Sequence, residues 1–103
     1  MVRLYARVVK FVLNPDSEWE ANRMADVIYT LLQQQPGFQG ASFLADYENS
    51  DYKWISYWET EEDLLQSQKK VFPVLLDMVG YSCQWEPSVQ MYEVYEPRRI
   101  PQS

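Results

Sequence analysis

Histidine is absent from the 103 residues, and cysteine occurs once, as Cys83. Without imidazole there is no histidine base, no histidine-ligated haem and almost no route to a zinc centre, since the lone thiol cannot supply the missing ligands. A single cysteine forms no internal disulfide, which suits a reducing compartment, and its plainest role is a buried, inert thiol. Glycine is also scarce. Gly37, Gly40 and Gly80 are too isolated for a phosphate-cradling loop or a dinucleotide fingerprint, and no nucleophile-elbow motif occurs. Basic residues are outnumbered, nine Lys and Arg against fifteen Asp and Glu for a net charge of −6, and their longest run is Arg98-Arg99. Nucleic acid is therefore not expected as a partner. No run approaches the roughly 20 apolar residues of a spanning helix, and the first residues lack an apolar signal core. The expectation is a soluble, cytoplasmic protein without membrane contact, metal or cofactor.

What the chain has in abundance is aromatic surface: four Trp, eight Tyr and four Phe. Its length suits one domain with one core, here residues 1–97, followed by a short flexible tail over 98–103. The densest stretch runs from Tyr52 to Trp58. Alternation along a strand puts Tyr52, Trp54, Ser56 and Trp58 on one face and Lys53, Ile55 and Tyr57 on the other. Large apolar residues on both faces predict that both are covered. A helix start follows at once, with Thr60 as cap, Asp63 at the return position of a capping box, and Glu61 and Glu62 at the positive helix end. Consecutive helix residues point apart, so these three acids are not read as a metal cluster.

Val2 to Leu13 also alternates as a strand apolar on both faces, with Arg7 as a charged intruder. Asn14-Pro15-Asp16 is turn chemistry. Ser17 and Glu20 have capping-box spacing ahead of Met24, Val27, Ile28, Leu31 and Leu32, an amphipathic helix of about five turns closed by Pro36-Gly37. Phe38 to Asp46 is a second strand in which Gly40 marks a bulge. The second helix carries Leu64, Leu65, Val71, Phe72, Leu75 and Met78, and Pro73 inside it predicts a kink or two shorter helices. Ser88 to Tyr95 is the last strand. The order is βαββαβ, an α+β, ferredoxin-like arrangement with two helices on one face of a four-stranded antiparallel sheet. Two helices cover one face only, so the apolar second face predicts a homodimer.

The first strand with its Asn14-Pro15 turn, Gln35-Pro36-Gly37-Phe38, and Trp58-Glu59-Thr60-Glu61-Glu62-Asp63-Leu64 together resemble the dimeric α+β barrel superfamily, over residues 2–95. Within it, the likeness is to the antibiotic-biosynthesis-monooxygenase-like group. The resemblance implies a cofactor-independent monooxygenase-type domain that acts on or binds a small aromatic or quinone-like molecule. Haem-degrading members carry an Asn that aligns with Arg7, a helix Trp near Ser67 and a His near Asp77; none matches, so that activity is not expected. Quinol-oxygenase relatives often place a His near Ser67, which is also missing.

Cofactor-free oxygenation needs an aromatic pocket and a cation or donor to hold the oxyanion left by proton loss. Arg7 is the candidate for that catalytic role, with Tyr5, Trp54, Trp58 and Ser67 as candidate ligand-binding residues. Each has a structural reading beside it. Arg7 could pair with Glu93 or reach water at a strand edge, the tryptophans could simply fill the core, and Ser67 could be a small helix residue. The alternative function is a non-catalytic dimeric module that binds a small ligand or other proteins.

Overall fold

The computed structural model describes residues 3–97. The proposed tail over 98–103 lies outside the described residues. The first β-branched and aromatic run forms strand β1, Leu4–Val12, which lies inside the sheet between β3, Asp51–Trp58, and β4, Ser88–Val94. Strand β2, Phe38–Asp46, completes the antiparallel order β2-β3-β1-β4. Helices α1, Glu18–Gln33, and α2, Glu61–Val79, supply the crossovers, and a 3-10 turn, Gly80–Ser82, leads towards β4. The βαββαβ order expected from the sequence is the one found.

Register assigns the two faces. Tyr5, Arg7, Val9 and Phe11 of β1 lie opposite Trp58, Ser56, Trp54 and Tyr52 of β3, so both sets point to the helices. They meet Met24, Ile28 and Leu32 of α1 and Leu64, Val71 and Leu75 of α2 in one continuous core. Burying those side chains is what holds the helices to the sheet, at roughly 1.5–3 kcal/mol for each large apolar side chain. On the opposite face, Val8, Ile55 and Tyr57 are only partly covered, and Leu44 and Tyr92 are about half exposed.

Two local expectations need correction, and two hold. Ser17 makes no side-chain cap bond: at φ −101° and ψ 17° it lacks the extended conformation that aims a hydroxyl at the first turn, and only its carbonyl accepts, from Ala21 N–H. Thr60, which is extended, does cap α2 by accepting from Asp63 N–H at 3.0 Å. Helix α2 runs through Pro73 as one element rather than two. Pro73 and Lys69 are both exposed, so the carbonyl deprived of its partner is free to bond water instead. The bulge at Gly40 is present as a register shift between Phe38 and Gly40.

Gly37 ties the two halves of the molecule together. Its carbonyl accepts from Glu59 N–H at 2.8 Å, its φ is +79°, and a Cβ there would collide with the Asp63 carboxylate in the first turn of α2. Gly37→Ala should therefore cost about 2 kcal/mol, from backbone strain and the displaced carboxylate. Chemical denaturation of the variant, with an unchanged slope and a lowered midpoint, checks this.

Candidate functional site

Arg7 sits at the middle of β1, on the helix-facing side, and is only 5 % exposed. Room for its guanidinium comes from two small residues, Ser56 directly opposite on β3 and Ser67 on the buried stripe of α2. Nη1 donates to Ser67 Oγ at 3.1 Å and, more weakly, to Leu64 O at 3.4 Å. The guanidinium carbon lies 5.4 Å from the centre of the Trp58 ring, a cation–π distance. The Ser67 hydroxyl donates to Leu64 O at 2.7 Å, which leaves its oxygen free to accept from Arg7.

No carboxylate among the described residues neutralises this cation. Glu93, the sequence-based candidate for that role, instead pairs with Arg3 at 3.2 Å on the surface. The register explains the difference: Glu93 lies opposite Tyr5, whereas Arg7 lies opposite Met91. Burial without a counter-charge pushes the Arg7 pKa down from its ordinary value to about 10. Nε and Nη2 have no hydrogen-bond acceptor among the described residues, so one side of the guanidinium fork is uncommitted.

Arg7 also forms part of the wall of a cavity between the helices and the sheet, about 20 Å³ in volume, room for roughly one water. Val9 and Trp54 line it from the sheet, Ile28 and Leu32 from α1, and Val71, Phe72 and Leu75 from α2; Ser56 and Gln68 are its other polar members. Gln68 and Phe72 also line a shallow groove on the exposed side of α2, alongside Leu65 and Lys69. Two side chains one helical turn apart, Gln68 and Phe72, are thus shared by the cavity and the groove.

The five candidate residues separate into distinct positions. Arg7 and Trp54 line the cavity. Trp58 is fully buried, with its indole N–H donating to Ser56 Oγ at 2.9 Å and its ring against Phe38, and it reaches the site only through Arg7. Ser67 likewise touches Arg7 and not the cavity. Tyr5 packs half-buried against the core and is not among the lining residues. Trp54 is held by an N–H contact to Met24 Sδ at 3.4 Å. Sequence reasoning missed Gln68, although a signal was there: Leu64, Gln68, Val71 and Leu75 follow helical spacing, so a polar residue occupies one position of the buried stripe. Among the described residues no group of three acidic, thiol or imidazole side chains could hold a metal, and no helix is long and apolar enough to cross a membrane. Cys83 is free and half-buried, and burial pushes its thiol pKa up, away from reactivity.

No family model and no curated protein sequence matches the chain. Solved structures do match its fold. A protein of unknown function from Nitrosomonas europaea superimposes with a TM-score of 0.80 at 12 % identity over 98 % of both chains. A candidate antibiotic biosynthesis monooxygenase from the same organism gives 0.79 at 12 % identity, over 91 % of this chain and 92 % of the other. SnoaB, a cofactor-independent oxygenase from Streptomyces nogalater, gives 0.69 at 13 % identity, over 96 % and 98 %. At such identities the likeness establishes a shared ferredoxin-like α+β fold, the one carried by proteins named as antibiotic biosynthesis monooxygenases.

Proposed function

We propose that this chain is a cofactor-independent monooxygenase-type protein whose pocket takes a small aromatic molecule as its anion, with Arg7 as the group that holds the anionic oxygen. The observation that carries the reading is the buried, unneutralised Arg7 with half its fork free at the wall of an otherwise apolar cavity. A buried cation without a counter-ion is costly, and such groups are retained where charge develops on a ligand. Trp58 and Ser67 position the guanidinium, and Trp54 offers an aromatic wall. In the ground state the cavity admits about one water-sized group, so a ring enters by swinging Gln68 and Phe72 aside.

Chemically, the cation lowers the pKa of a phenolic or enolic ligand, which gives its proton up to solvent water, and the resulting electron-rich anion is what molecular oxygen, the oxidant, attacks without a metal or flavin. Oxygen uptake by purified protein with hydroquinones and polycyclic phenols tests this. Consumption above the uncatalysed rate that Arg7→Met removes supports it; binding without oxygen consumption supports the second reading, a non-catalytic ligand-binding module, which the absence of any histidine base favours. In either case the functional unit is a homodimer. Supporting this, the outer sheet face presents Val8, Ile55, Tyr57, Leu44 and Tyr92, an apolar patch that a second copy related by a two-fold axis would cover.

A further inference from the structure

Gln68 Oε1 is buried and has no hydrogen-bond partner. An acceptor in that state costs free energy that an apolar residue would not, and the surrounding stripe of Leu64, Val71 and Leu75 would be completed by a leucine or methionine. Gln68 lines the same cavity as Arg7 and, with Phe72, also lines the outer groove, so a ligand that enters between these two side chains must displace Gln68 and then meets its amide. The two polar ends of the pocket are complementary in kind. Arg7 offers only donors, and Gln68 offers an unused acceptor.

We propose that Gln68 is the specificity-determining residue of the pocket: its Oε1 accepts a hydrogen bond from a hydroxyl that the aromatic ligand retains in addition to the oxygen held by Arg7. The inference rests on the pocket reading above and narrows its ligand to a hydroxylated aromatic that binds as a mono-anion. Sites that hydrogen-bond a ligand hydroxyl reject the analogue lacking it, because the protein group is then left unpaired.

The test is a titration, under argon to prevent turnover, of phenol, catechol, resorcinol and hydroquinone into wild type, Gln68→Met and Gln68→Leu, followed by tryptophan fluorescence. Wild type should bind at least one dihydroxybenzene roughly tenfold or more tighter than phenol. Both variants should lose that preference while holding phenol at least as well as wild type. Equal affinity of wild type for all four compounds, or a preference that survives both substitutions, overturns the role of Gln68 while leaving the pocket reading intact. Failure of all four to bind wild type overturns the pocket reading and this inference together. If one variant does not fold, the other and the wild-type ranking decide.

Discussion

Replacing Arg7 with methionine should make the protein more stable while removing its ability to bind an aromatic anion. Folded Arg7 has its pKa pushed down to about 10, below its ordinary value, because burial disfavours the charged form. Between those values the unfolded chain holds more protons than the folded one, so stability rises with pH through that window. Below about 10 the full cost is present, roughly 3 kcal/mol from a shift of this size. Methionine is unbranched and of similar length, so it removes the charge without opening a large void. Lost with the charge are the bond to Ser67, the weaker one to Leu64 O and the cation–π contact with Trp58. Ser67 stays satisfied through Leu64 O. The net expectation is a gain of about 1–2 kcal/mol, seen as a melting temperature raised by about 5 °C or more, together with loss of aromatic-anion binding by roughly a hundredfold. A variant that is clearly less stable than wild type would make Arg7 a structural residue.

The second large effect is expected on the opposite face of the sheet. Ile55 lies at the middle of β3 between Val8 of β1 and Ser42 of β2, with its side chain pointing away from the helices. If a second copy covers this face, Ile55→Glu places two like charges near a two-fold axis and strips both of water, a cost of several kcal/mol. Sedimentation should then show a dimer for wild type and a monomer for the variant, with the dimer dissociation constant raised by at least about a hundredfold. Wild-type protein that sediments as a monomer would remove the second copy and leave the apolar outer face to a different partner.

How far the sequence reaches can be seen in particular residues. The alternation along β3 sorts Tyr52, Trp54, Ser56 and Trp58 onto one face, but Ile55 and Tyr57 make the other face apolar too, so the pattern alone does not say which face the helices cover; the structure puts the first set under them. Arg7 stands out in the sequence because a charge interrupts an apolar strand. Its partner does not, because Glu93 and Arg7 differ by the register of β1 on β4, which no local pattern encodes. The same limit applies to Trp58, whose composition suggests a pocket wall but whose packing against Phe38 places it behind Arg7. Of the two outcomes expected at Pro73, the split into two helices is not found: a proline on the exposed side of a helix lets water bond the freed carbonyl, so the helix continues. Gln68 was legible as a break in a helical stripe, but only its burial shows that the acceptor is unused.

The claim that Arg7 is kept for an anionic aromatic is tested most directly by the pH dependence of binding of para-nitrophenol, which ionises near neutrality. Affinity for wild type should rise as the phenol loses its proton, because the buried guanidinium favours the anionic form. Arg7→Met should abolish the rise. Affinity that falls as the phenol ionises, or that is the same in both proteins across the range, would contradict the assignment.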